Sequence, residues 1–248
     1  MRIATWNVNS ISARLPRLLP WLDDVAPDVV ALQETKCTDA AFPHAQLRAL
    51  GYEVAHAGDG RWNGVGVLSR VGLDEVDLTL DGHPEPRVAS ARCGGLHVTS
   101  VYVPNGRAVD DPHYAYKLAW FAALRDRQRG VAEPRVVMGD MNVALTDDDV
   151  WDIGAFQGST HVTPAERAGL RGLLDTGLRD VVPRPGKGSH PFTYWDYRAG
   201  MFHKDFGMRI DYVLASPALS VTDAYVDRAA RKGTGPSDHA PVVVDLDV

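Results

Sequence analysis

The sequence predicts an α/β protein in which two packed β-sheets carry helices on their outer faces. Three observations lead there. Short apolar runs, many rich in Val and Ile, recur along the chain and are punctuated by Gly and Pro, the pattern of strands parted by turns. Only a few stretches between them show helical spacing. No internal repeat, low-complexity tract or linker divides the chain, so its 248 residues are expected to form one domain, 1–248.

Taken in order, 2–8 is a strand, and 12–25 is a helix in which Pro16 fits a first turn and Pro20 should kink the rest. Strand 28–33 follows, then a helix that starts after Thr38 and ends at Gly51. Residues 52–57, 64–70, 87–92 and 96–102 read as strands. A helix runs from about Tyr114 to Arg129, with Gly130 as its stop. After strand 135–139, Thr163-Pro164-Ala165-Glu166 forms a capping box with Pro at the first helical position. Leu170, Leu173, Leu174 and Leu178 then supply an apolar stripe. Residues 182–192 are a loop, and 209–215 and 241–247 are strands. In the last of these Val242, Val244, Leu246 and Val248 point one way, and Val243, Asp245 and Asp247 the other.

Composition bounds the function. With 45% hydrophobic and 23% charged residues the chain has material for a real core. A formal net charge of −6 lacks the strongly basic balance of many nucleic-acid binders. A local basic rim or a bound cation remains able to do that electrostatic work. The cysteines, Cys37 and Cys93, have neither zinc nor disulfide-framework spacing and read as reduced thiols of a cytoplasmic protein. "MRIATWNVNS" lacks a signal peptide's apolar run, and no stretch approaches the roughly 18 apolar residues of a membrane span.

Polar residues recur where strands end: Asn7 and Asn9; Glu34 and Lys36; Tyr102 and Asn105; Asp140 and Asn142; Asp238 and His239. Singly, each has a plain explanation, because Asn and Asp cap turns and Tyr is a good strand residue. Asp211 is harder to dismiss. It lies between Ile210 and Tyr212 in an apolar strand, where a carboxylate must be paired to stay charged. His239 is a suitable partner, oriented and made more basic by the carboxylate.

In combination, "WNVNSI", "LQETK", "VYVPNG", "GDMN", "TYWDYR", "RIDYVLAS" and "SDHAPV" resemble the exonuclease III family of abasic-site (AP) endonucleases, in order and over residues 6 to 242. The wider superfamily also holds deoxyribonuclease I-like nucleases, inositol phosphatases and sphingomyelinases. The resemblance implies a four-layer α/β sandwich: two mainly antiparallel sheets face to face, helices outside, and a site at one edge. It implies Mg²⁺, with Mn²⁺ able to substitute, and duplex DNA bearing abasic sites or blocked 3′ ends, acted on by a monomer.

By the same resemblance Asp140 activates or positions water, Asn142 orients it or holds a phosphate oxygen, and His239 held by Asp211 contacts the phosphate and stabilises the charged transition state. Tyr102 donates to the phosphate or assists as phenolate, and Asn7 and Asn105 fix phosphate or ligand geometry. Glu34 ligates the metal, with Asn9 and Asp238 joining directly or through water. Tyr194, Met208 and Ile210 match the abasic pocket. Lys36, Arg107 and Arg198, with Arg184, Lys187, Lys204 and Arg209, are the cations of the expected DNA face. The implied activity is cleavage 5′ to an abasic site, with 3′→5′ exonuclease and 3′-phosphatase or phosphodiesterase activity beside it. A general nuclease or phosphatase on the same fold, and a non-catalytic nucleic-acid-binding regulator, are the alternatives.

Overall fold

Apolar residues on both faces of the central strands dictate the layering of the computed structural model, which describes residues 1–247; Val248, expected to extend the last strand's pattern, lies outside them. The elements run β1 (Arg2–Asn7), α1 (Ile11–Val25), β2 (Val29–Gln33), α2 (His44–Ala49), β3 (Glu53–Ala57), β4 (Val65–Ser69), β5 (Asp74–Asp77), β6 (Val88–Cys93), β7 (Leu96–Tyr102), α3 (Pro112–Gln128), β8 (Arg135–Asp140), α4 (Pro164–Leu174), β9 (Arg179–Asp180), α5 (Met201–Lys204), β10 (Asp211–Ala215), β11 (Ser220–Val226) and β12 (Val242–Asp247). Two six-stranded sheets result, ordered β11-β12-β1-β2-β4-β3 and β5-β6-β7-β8-β10-β9. Only β1/β2 and β7/β8 pair in parallel among the described strands.

Ile3, Val29, Ala31 and Val67 of the first sheet meet Ala91, Val98, Val136 and Met138 of the second to fill the space between them. Their neighbours point outward, as a two-residue period demands. Ala4, Trp6, Val30 and Leu32 pack on Leu18 and Leu22 of α1 and on Leu47 of α2. Val137, Tyr212 and Leu214 pack on Trp120 and Leu124 of α3 and on Leu170 and Leu173 of α4. The chain is therefore the expected α/β/β/α sandwich, and strands buried on both faces read as unbroken apolar runs.

Four local expectations need correction. Helix α1 runs unbroken through Pro16 and Pro20. Both prolines are exposed, on the face where water can hydrogen-bond the carbonyls that lose a helical donor. The helix expected over 38–51 is two pieces, a 3₁₀ turn at Asp39–Ala41 and α2, parted by Pro43. Strands β5, β9 and β11 had no apolar signature; all are edge strands. Asp211 opens β10 instead of lying within it. No helix among the described residues is long and apolar enough to cross a membrane.

Candidate active site

The parallel pairs set the site's position. Strands β1 and β2 end side by side at Asn7 and Gln33, next to Glu34. Strands β7 and β8 end likewise at Tyr102 and Asp140. Antiparallel neighbours begin where these end: Asp211 of β10 lies opposite Asp140, and β12 starts opposite Thr5, just after His239. Carboxyl ends of four central strands and amino ends of two others thus reach one rim.

Local backbone chemistry completes it. Gly139 has φ 150°, and a Cβ there would lie 2.0 Å from the Val101 carbonyl oxygen, so only glycine lets β8 run close beside β7. Glu34, Lys36 and Asn142 adopt left-handed backbone at φ 51°, 50° and 50°, turning their side chains back over the strand ends. The Thr35 hydroxyl, 2.8 Å from His56 Nε2, anchors the Glu34 turn from below. Trp6 Nε1 donates to the His239 carbonyl at 3.2 Å, and Ser237 Oγ donates to the Asn7 carbonyl at 2.7 Å. These bonds pin the His239 segment to β1.

The side chains converge. Asn7 Nδ2 donates to Glu34 Oε1 at 2.8 Å and to Asp140 Oδ2 at 2.9 Å. Asp140 Oδ1 accepts the Asn142 N–H at 2.9 Å, and Asn142 Nδ2 donates to the Val103 carbonyl at 2.9 Å. His239 Nδ1 lies 2.8 Å from Asp211 Oδ2, and Nε2 lies 3.9 Å from Asp140 Oδ2. Asp140, Asp211 and His239 are no more than 3% exposed. The expected Asp211–His239 pair is formed.

Burial and charge separate the protonation states. Burial pulls the His239 imidazole down, but the Asp211, Asp140 and Asp238 carboxylates outweigh it and hold the pKa up at about 10. Burial pushes Asp140 up; repulsion from Asp211 and Glu34 adds to it, the His239 charge opposes it, and the result is about 7. Burial also acts to raise Glu34, yet the Lys36 ammonium, 2.8 Å from Oε2, and the Asn7 amide bring it below the usual carboxylate range. Burial and the nearby Glu34 and Asp140 carboxylates raise the Tyr102 phenol well above its ordinary value. That favours an O–H donor over a phenolate.

Glu34, Asp140 and His239 place ligand-type atoms within 4.8 Å of one another. His239, charged and turned toward Asp211, is ill suited as a ligand. The carboxylates of Glu34 and Asp140 are the hard oxygen donors that a cation such as Mg²⁺ takes, with water completing its shell, so the residues fit a cation. Asn9 and Asp238 stand one step out. Asn9 Nδ2 donates to Asp238 Oδ1 at 3.0 Å while Asn9 Oδ1 accepts from Lys36 Nζ at 2.5 Å.

Tyr194, Met208 and Ile210 gather in one apolar cluster with Ala144 and Val150, and Tyr194 lies 4.9 Å from the His239 ring. Asn105 donates to Asn142 Oδ1 at 3.1 Å. A groove of about 400 Å³ leads from Tyr102 and Asn105 past Arg87, Arg107 and the exposed Trp62. The basic residues divide. Arg107, Lys187 and Lys204 are exposed, and Arg198 is exposed but paired with Asp196. Lys36 is engaged by Glu34 and Asn9, and Arg184 by Asp223 of edge strand β11. Arg209 corrects the expectation outright: it is 3% exposed and bound to Asp149 and Asp180, so it is a core cation and does not face DNA.

Sequence reading missed three contributors. Thr193 Oγ1 donates to Asp211 Oδ2 at 2.5 Å and accepts the Asp211 N–H. His161, at φ 79°, sets Nε2 3.2 Å from both Asn142 Oδ1 and Asn105 Nδ2. Burial and the Lys117 charge push its pKa down to about 4, which keeps it neutral. Lys117, fully buried in α3, donates to the Asn142 carbonyl at 2.7 Å. Its only sequence signal is a lysine among the apolar positions of a helix.

Known proteins are similar to this chain in sequence and fold. The Endonuclease/Exonuclease/phosphatase family model matches residues 4–239. Exodeoxyribonuclease III of Haemophilus influenzae is 30% identical over 266 residues, covering 98% of each chain. A 3′ phosphatase from Neisseria bound to product DNA hairpin superposes with a TM-score of 0.94 at 37% identity, and an AP endonuclease from Archaeoglobus fulgidus with 0.94 at 35%, each over 100% of both chains. With whole-length matches in sequence and fold, the chain belongs to the Endonuclease/Exonuclease/phosphatase family, alongside exodeoxyribonuclease III.

Proposed function

We propose that this enzyme hydrolyses the phosphodiester 5′ to abasic sites in duplex DNA and also removes blocking groups and nucleotides from 3′ ends. The observation that carries the reading is the meeting of Asn7, Glu34, Asp140, Asn142, Asp211 and His239 in one buried polar cluster at the ends of the central strands. The likeness to a Neisseria 3′ phosphatase seen with DNA supports including 3′ ends.

Hydrolysis at phosphorus needs an oriented water, neutralised phosphate charge and a stabilised leaving group. Asp140, buried beside the Asn142 amide, is placed to accept a proton from water as a carboxylate. Asn142, fixed by Asp140 and Val103, orients that water. The His239 imidazolium, steered by Asp211, donates through Nε2 to a phosphate oxygen, and Tyr102 O–H donates to a second. Glu34, with Asp140, would hold Mg²⁺, which when bound supplies positive charge against the phosphate. Asn7 keeps the two carboxylates in register, and Asn9 and Asp238 support them through Lys36 and water.

Tyr194, Met208 and Ile210 give the flipped, base-less sugar an apolar seat. Flipping is least costly where stacking is already lost, which itself selects damage. Arg107 and Arg198 contact flanking phosphates. The free, buried Cys37 and Cys93 suit a reducing compartment, and we place the enzyme in the cytoplasm as a monomer.

The test is a duplex with a single abasic analogue beside one with a 3′-phosphate, each in Mg²⁺ and in chelator, with wild type and Asp140→Asn. The expected result is a Mg²⁺-dependent nick or phosphate release that the variant loses. Equal activity of both proteins in chelator would overturn the assignment.

A further inference from the structure

We propose that the buried Lys117–Glu166 ion pair is a positioning device for the active site: it sets the backbones that carry Asn142, Asn105 and His161. This rests on the reading of Asn142 as a group that contacts the reacting water or phosphate. The two residues lie on α3 and α4, away from the strand ends, and both are 0% exposed.

A buried ion pair is a poor choice for stability alone, since apolar residues of similar volume often serve as well or better. The geometry offers another reason for it. Each of the three Lys117 ammonium protons has an acceptor: Glu166 Oε1 at 2.6 Å, the Asn142 carbonyl at 2.7 Å and the Asn105 carbonyl at 3.3 Å. The loop after β7 and the loop after β8 are thus tied to one charge.

Glu166 extends the tie. The same Oε1 accepts the Thr160 hydroxyl at 2.5 Å and the His161 N–H at 2.9 Å. Oε2 takes the Thr163 N–H at 3.1 Å and hydroxyl at 2.8 Å. A residue recognisable from sequence as the reciprocal half of a capping box therefore also fixes the loop that carries His161. Thr160 Oγ1 also lies 3.1 Å from the Asn105 carbonyl, a longer contact than the one to Glu166 that takes its single proton. The space is tight: a Cβ on Gly106 would come within 2.8 Å of Thr160 Oγ1 and 3.1 Å of Lys117 Cδ.

The held residues need holding. Asn142 and His161 have φ of 50° and 79°, left-handed backbone that Asn and His reach more readily than most side chains but that still needs neighbours to select it over the commoner regions. The amides of Asn142 and Asn105 and the His161 ring meet at 3.1–3.2 Å, and their relative placement follows from the three backbones on the pair. Burial lowers the Lys117 pKa while Glu166 raises it, and the ammonium donates to all three acceptors.

The test is a double-mutant cycle in the full chain with Mg²⁺. Lys117→Met alone strands a buried carboxylate and risks unfolding, so the working variant is Lys117→Met/Glu166→Gln, which removes both charges at similar volume. Cooperative melting and wild-type circular dichroism establish its fold. On the abasic duplex kcat is expected to fall about 100-fold, the scale of a 1 Å misplacement, with KM within about threefold of wild type. In an Asn142→Ala background the same pair of changes should cost less than about threefold more, because Asn142, the group on which Asn105 and His161 converge and through which the tie acts on the water or phosphate, is gone. A folded double variant with wild-type kcat overturns the inference, and so does a full further 100-fold loss in the Asn142→Ala background. Absence of cleavage by the wild type on both DNA substrates refutes the proposed function instead, and this inference with it.

Discussion

Replacing Asp211 by Asn tests the electrostatic centre of the site with little change of shape. Asp211 Oδ2 accepts from Thr193 Oγ1 at 2.5 Å and pairs with His239 Nδ1 at 2.8 Å, while Oδ1 has no partner. An Asn oxygen in the Oδ2 position keeps both bonds, and its NH₂ takes the place of the unpartnered Oδ1, a buried donor that costs about 1–3 kcal/mol without changing the side chain's shape. What disappears is charge. At roughly 4 Å between charge centres and an effective dielectric near 20, the pair contributes ~4 kcal/mol, about a thousandfold in proton affinity. His239 should therefore move from about 10 to roughly 7. The assay is an NMR titration of the imidazole in chelator, followed by rate against pH in Mg²⁺.

In wild type the folded state holds a proton that the unfolded chain releases near 6.5. Stability from the imidazolium is complete below that pH and declines as the pH rises toward about 10. In Asp211→Asn the decline should end near 7. If the imidazolium contacts the phosphate, the ratio of the variant's rate to the wild-type rate should be about tenfold lower at pH 8 than at pH 6, because the pH dependence of the other groups is common to both proteins. A His239 titration that moves less than tenfold in proton affinity, or parallel rate profiles, would refute the reasoning.

Three further outcomes follow from the same geometry. Arg209→Met strands Asp149 and Asp180 and should cost about 3–5 kcal/mol in chemical denaturation, while KM for DNA stays unchanged; unaltered stability with a raised KM would restore Arg209 to the DNA face. Gly139→Ala drives a methyl into the Val101 carbonyl and should lower stability by about 3 kcal/mol or more, with a clear drop in Tm; a Tm within a degree of wild type would show that the two strands part freely there. Glu34→Gln should weaken Mg²⁺ binding at least about tenfold by calorimetry, since it removes one of two carboxylates from the proposed ligand pair; wild-type affinity would move the cation elsewhere.

The strands that sequence made legible are those buried on both faces. Val29–Gln33 and Arg135–Asp140 have no exposed residue and read as continuous apolar runs. Strands β5 and β9 lie at sheet edges with exposed or half-buried, acidic residues, so no apolar period marks them. Their pairing comes from the neighbouring strand, a partner that a local reading cannot see. Pro20 misled for a related reason: the cost of proline in a helix depends on whether water reaches the orphaned carbonyl, and that is a property of the packed face.

Site residues followed a different rule. Those on strand ends were visible because polar side chains interrupt apolar runs there. Lys117 and His161 were not, because a lysine in a helix and a histidine in a loop are ordinary until the fold buries them. The strand order makes the difference physical. Counted cyclically along the chain, β11, β12 and β1 to β4 repeat the order of β5 to β10, each sheet with one parallel pair at its centre. Two such sheets packed face to face bring the ends of both parallel pairs, and the starts of the strands beside them, to one rim. Polar residues at those places must then share a small desolvated volume. There they must either pair, as Asp211 and His239 do, or hold a cation, for which Glu34 and Asp140 are placed. Elements behind the rim carry no such obligation; a charge buried among them needs partners of its own, and at Lys117 two of its three acceptors are backbone carbonyls of the loops that carry site residues.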